Sequence, residues 1–124
     1  MMTFSDFRRL WESAGEYTPE QHDLYVAERG WQDWMDEYGA EDADAIVHVL
    51  DAVYTMAHGG FASIRSITGL SQRGFEGIYG IPYRSVQNWE AGINTPTTYN
   101  QILLGYAVLT DQLARITTAR AEEE

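Results

Sequence analysis

The sequence predicts an all-α protein. Apolar residues recur at three- and four-residue steps, helix start and stop signals recur along the chain, and nothing alternates over a strand's length outside short loops.

The elements follow in order. Ser5 is placed to cap a first helix whose apolar positions Phe4, Phe7, Trp11 and Ala14 share one face, with Gly15 ending it. The run "TPEQ" is a second start, with Thr18 as N-cap, Pro19 at the first helical position and Gln21 three residues on from the cap. Leu24, Ala27, Trp31, Trp34, Met35 and Tyr38 then make one apolar stripe, with Glu28, Asp33, Asp36 and Glu37 facing away, and Gly30 is placed to split the element in two. A third helix, about Asp42 to His58, presents Ala43, Ile46, Val47, Leu50, Val53, Tyr54 and Ala57. Val49 and Met56 lie off that stripe, which makes this the central, most buried helix. Gly59-Gly60 is a stop.

The second half reads as "FASIRSI" in a short helix, a turn at Gly69-Leu70, a helix from Ser71 to about Tyr79, a turn at Gly80, and a helix over "PYRSVQNWEA" opened by Pro82. After "GINTP", a long helix from about Thr98 to Ala119 carries Ile102, Tyr106, Leu109, Leu113 and Ile116. That stripe serves either as core or as the seam of a two-fold dimer. The implied organisation is an acidic helical region over 1–60, a helical domain over 61–119 and an acidic tail over 120–124.

Composition limits the function. The 124 residues hold one modest core, and 44% hydrophobic content is too apolar for a disordered chain. Without cysteine there are no disulfides and no thiolate metal sites. The start lacks a basic segment followed by an apolar one, and "AIVHVLDAVYTMA" is too short to span a bilayer, so a cytoplasmic protein with no membrane partner is expected. Asp44, His48 and Asp51 stand on adjacent turns of one helix, yet three ligands on one helix without a partner cluster do not make a metal site. His22 and His58 read as surface or helix-end groups. With no glycine-rich phosphate loop, no nucleophile beside a base and no paired carboxylates standing out from the acid background, neither an enzyme nor a cofactor is expected.

The formal charge of −11 is unevenly distributed. Residues 1–60 hold three arginines against thirteen acids, whereas between Phe61 and Thr110 three arginines face two acids. All eight basic residues are arginine, the side chain suited to bidentate recognition of phosphate or guanine.

The segment "GLSQRGFEGIYGIPYRSVQNWEAG", Gly69 to Gly92, is two short helices about a tight turn. Gly80 supplies the turn, and Phe75, Ile78 or Tyr79, Ile81, Val86 and Trp89 supply an apolar lock. Tyr83, Arg84, Gln87 and Asn88 fall on the outward side of the second helix. In "ITGLSQ", Phe75, "YGIP", Arg84, Ser85, "NWEAG", Pro96 and "ILLGYAVL", the chain resembles the phage-repressor (XRE, Cro/C1-type) helix-turn-helix family over about residues 61–111. The resemblance implies a lambda-repressor-like bundle with an acidic helical extension, binding double-stranded DNA as a transcriptional regulator of a phage or mobile element. By position it implies that Gln72 contacts phosphate and a flanking base. Tyr83, Arg84 and Asn88 are the main base-facing side chains, Ser85 lies near the backbone, and Arg73 and Gln87 complete the DNA-binding set. Arg84 with guanine and Asn88 with adenine are the natural pairings. Trp89 is implied as core, and Glu90 as a tie to the following loop. Readers of this type bind half-sites as dimers, which implies a homodimer through the C-terminal helix.

The chain departs from the family at Glu76, where a small alanine is usual, and at Gly74 and Gly77, which replace ordinary helix formers. A carboxylate at 76 facing the groove meets phosphate. The acidic half supports a second reading. Glu28, Asp33, Asp36, Glu37, Glu41, Asp42 and Asp44 form either a solvated face or a surface that imitates nucleic-acid phosphates and binds a basic protein partner. Antitoxins and anti-CRISPR proteins are small mobile-element proteins of that kind. For a DNA reader, charges more than roughly 8–10 Å from the reading face are largely screened, so the acid need not prevent binding.

Overall fold

The computed structural model describes residues 2–38 and 42–123, with side chains through Arg115. The described residues are helical throughout, without strands. The helices are α1 (Phe4–Gly15), α2 (Pro19–Glu28), α3 (Ala43–Thr68), α4 (Gln72–Tyr79), α5 (Tyr83–Glu90) and α6 (Thr98–Glu123), with one 3-10 turn at Asp33–Glu37. Among the described residues no helix is long and apolar enough to cross a membrane. The chain forms two compact units, Met1–His58 and Gly59–Glu124.

In the first unit, α1 is capped two residues earlier than expected. Thr3, not Ser5, is the N-cap. Its hydroxyl accepts from the Asp6 N–H at 3.1 Å while the Asp6 carboxylate accepts from the Thr3 N–H at 3.0 Å. The same reciprocal box opens α2, between Thr18 and Gln21. α1 buries Phe7, Leu10, Trp11 and Ala14, and α3 buries Ile46, Val49, Leu50, Ala52, Val53 and Met56. Val49 and Met56 are fully covered, as expected of the central helix.

The apolar stripe expected along the second element does not form. α2 ends at Glu28, the backbone is extended through Gln32, and only Trp34 and Met35 of the stripe are buried. Leu24 and Trp31 are exposed, and Ala27 with them. The residue of α2 that turns inward is His22, at 6% exposure, which corrects its assignment to the surface. A buried imidazole needs a partner. His22 Nε2 lies 2.8 Å from Asp51 Oδ1, and its ring stacks on Tyr54 at 4.2 Å. Two further bonds join α3 to the α1–α2 region: Tyr54 donates to the Tyr17 carbonyl at 3.4 Å, and His58 Nε2 donates to the Ala14 carbonyl at 2.7 Å. Asp51 is thereby committed to His22, away from any grouping with Asp44 and His48.

In the second unit Phe61, Ile64, Phe75, Val86, Ile102, Val108 and Leu109 are buried. The α6 stripe is therefore core at Ile102 and Leu109 and half-buried at Tyr106 and Leu113, while the side chain of Ile116 lies outside the described residues.

The run Ala43–Thr68 is two helices broken where the stop at Gly59-Gly60 is expected: Gly60 takes a non-helical conformation that favours glycine, φ 69° and ψ −152°, and a second helical stretch begins beyond it. A residue with a Cβ is strained there by about 1–3 kcal/mol. Gly60→Ala is therefore expected to lower unfolding stability by about that amount in urea titration, and a loss under about 0.5 kcal/mol would contradict the break.

Candidate functional site

The site is assembled from α4, the turn after it, and α5. Ser71 caps α4, its hydroxyl accepting from the Gly74 N–H at 3.0 Å. The helix stops at Gly80, left-handed at φ 73° and ψ 12°, whose N–H donates to the Glu76 carbonyl at 2.9 Å. Glycine reaches that region without the Cβ penalty, so α4 and α5 are joined by only three residues. Pro82 is the N-cap of α5 and offers no side-chain acceptor. The acceptor comes from across the turn, where Glu76 Oε2 takes the Tyr83 N–H at 2.6 Å. Charge-assisted bonds of this kind are short and strong, and an N-cap contributes about 1 kcal/mol.

Aromatic packing holds the two helices. Phe61 meets Phe75 edge-on at 5.4 Å and Trp89 at 4.9 Å. Phe75 and Val86 are fully buried between them. Of the two residues that compete for the last lock position, Tyr79 faces inward against Phe75 at 4.8 Å, and Ile78 is exposed. The Tyr79 hydroxyl donates to Asp111 on α6 at 3.1 Å. Burial first, and then the bond to Asp111, push the Tyr79 phenol up to about 12.

A polar node fixes the arrangement. Arg65 on α3 grips Glu90 with both Nε and Nη2, the latter at 3.1 Å, and donates Nη1 to the Leu70 carbonyl at 2.8 Å. Gln72 donates Nε2 to the same Glu90 carboxylate at 2.7 Å. Glu90 thus ties α5 back to α3 and α4 rather than to the loop after it, correcting the role implied by family position. The bonds from Arg65 lower the Glu90 pKa below its ordinary 4.5, more than burial raises it, and Gln72 adds to the lowering.

The structure separates the predicted DNA-facing residues into three sets. Gln72 turns its amide nitrogen inward to Glu90. Arg73 and Tyr83 come together, the guanidinium 3.8 Å from the ring centroid, and Arg73 also reaches Glu76 Oε1 at 3.6 Å. Arg84 and Gln87 are exposed on α5, with Ser85 and Asn88 half-buried beside them. Arg65 and the capping role of Glu76 escaped sequence reasoning. Pro82, which supplies a helix start but no cap, was the signal that an acceptor had to come from elsewhere.

In the first unit Glu28, Asp33, Asp36, Glu37 and Asp44 are exposed and Asp42 is half-buried, while Glu41 lies outside the described residues. Asp36 accepts from the Trp31 indole N–H at 2.6 Å, and Trp34, in contrast to Trp31, is buried. The Tyr38 phenol is raised by burial, with Glu37 and Asp42 adding to the rise.

Because the Glu90 pKa is depressed in the folded chain, its stabilisation is full above pH 4.5 and is lost as pH falls through the lower native value. Glu90→Gln is expected to cost about 2 kcal/mol near pH 7, the order of a charged hydrogen bond, and to flatten the decline in stability below pH 4.5 in acid-titrated thermal melts.

No protein-family model, no curated protein and no solved structure matches the chain.

Proposed function

We propose that the chain is a sequence-specific DNA-binding regulator, a repressor of phage or mobile-element type, whose second unit is a lambda-repressor-like helix-turn-helix bundle with α5 as the reading helix. The carrying observation is the division of α5: Val86 is buried and Trp89 packs on Phe61, while Arg84 and Gln87 project into solvent. A major-groove reader needs that division, with a short tight turn and a companion helix held against it. Arg84, with no ion-pair partner among the described residues, is free to take guanine O6 and N7, and Asn88 to take adenine. Two copies would double this small contact set on half-sites about one helical turn apart.

A second reading is favoured by the exposure of Glu28, Asp33, Asp36 and Asp44 in a unit whose three arginines are already engaged. On that reading the acidic unit is a phosphate-imitating surface for a basic protein partner, as in an antitoxin or an anti-CRISPR protein.

A gel-shift titration with the DNA upstream of the chain's own gene separates the two. Regulation requires sequence-dependent binding that Arg84→Ala or Asn88→Ala weakens by about 1–3 kcal/mol and makes less selective, with melting unchanged. Absence of binding even at low salt rejects it. The surface reading instead requires that changing Glu28, Asp33, Asp36 and Asp44 together to arginine abolish partner capture while the helical fold persists.

A further inference from the structure

The face that α4 and α5 share carries a carboxylate that a DNA reader does not require. Four charged side chains stand on these helices. Glu90 is neutralised by Arg65 in the polar node, and Arg73 lies 3.6 Å from Glu76. The uncompensated charge that remains is Arg84. Glu76 does more than offset Arg73, since one oxygen holds the α5 backbone through Tyr83 N–H and the other holds the guanidinium that covers the Tyr83 ring. Exposed ion pairs and cation–π contacts are individually weak. Joined through one carboxylate, they give Arg73 and Tyr83 a single shared arrangement.

We infer that Glu76 sets the specificity of the reading face. It positions Arg73 and Tyr83 as a unit and cancels the charge that would otherwise hold the protein on any duplex. This rests on the DNA-binding reading above. Non-specific affinity grows with the number of phosphates that free cations neutralise, each steepening the salt dependence by a log–log slope of about 0.9. A face whose net charge comes from Arg84 alone binds non-cognate DNA weakly, so base contacts decide where it stays. Glu76 is a positioning residue, and its charge is separable from its cap: glutamine at 76 still offers an oxygen to Tyr83 N–H but releases Arg73 to phosphate.

The test is fluorescence anisotropy of the full chain with a labelled random-sequence duplex and with the upstream DNA, at 50 and 200 mM salt. Glu76→Gln is expected to fold with a slightly lowered melting temperature, to bind the random duplex about threefold or more tighter at 50 mM, and to steepen the log–log salt slope by about 0.9. The upstream-to-random affinity ratio falls accordingly. Arg73→Gln placed in the Glu76→Gln background then returns random-duplex affinity to near the parent's. If the parent binds upstream DNA and Glu76→Gln shows the same affinities and slope, the inference is overturned while the DNA-binding reading stands. If neither binds any duplex at 50 mM, both are overturned. Failure of Glu76→Gln and Glu76→Ala alike to fold makes the residue a structural cap only, and overturns the specificity role.

Discussion

The second unit depends on one carboxylate with three donors. Glu90, at the C-terminal end of α5, receives two bonds from Arg65 and one from Gln72, while Arg65 spends its remaining terminal nitrogen on the Leu70 carbonyl between α3 and α4. A partly buried carboxylate with a bidentate guanidinium and a further amide has its acceptor sites largely satisfied, the condition under which such an ion pair orients its surroundings instead of merely costing desolvation. Around it the rings of Phe61, Phe75 and Trp89 meet edge-on, and Val86 fills the space between α4 and α5. The polar node sets the register of three helices, and the aromatic cluster supplies the apolar burial that keeps them together.

With the node in place, the outer surface of α5 is determined by what is left over. Val86 and Trp89 are consumed by the core, Glu90 by Arg65, and the Tyr83 backbone by Glu76. Arg84 and Gln87 remain exposed. Charge follows the same division between the two units. In the second, Arg65 on α3 is matched to Glu90 on α5, and Arg73 to Glu76 one turn along α4. In the first, the ion pairs from arginine among the described residues are local ones on α1, and exposed carboxylates stand along α2, the 3-10 turn and the start of α3.

Legibility in the sequence tracked the range over which each signal acts. The box at Thr18–Gln21 and the cap of Ser71 on Gly74 each span three residues and were readable as helix starts, as was the turn at Gly80. Periodicity succeeded on α3, where one broad face is buried and Asp44, His48, Asp51, Thr55 and His58 stay exposed on the other, and failed on α2. There the spacing of Leu24, Ala27 and Trp31 imitated an amphipathic face, but the helix ends at Glu28 and the extended segment after it breaks the phase. The one α2 residue that is buried is a histidine, because Asp51 and Tyr54 on α3 satisfy its ring.

The sequence by itself determined an all-helical chain, the location of most helix starts, the turn between α4 and α5, and the concentration of acid in the first half. Those properties follow from contacts within a turn of helix or from counting. Only the tertiary structure decided that Glu76 caps α5 across 7 residues, that Arg65 and Glu90 pair across 25, and that His22 and Asp51 pair across 29. Such partners are chosen by how whole helices pack, and a helical period carries no information about which distant side chain will arrive at a given face.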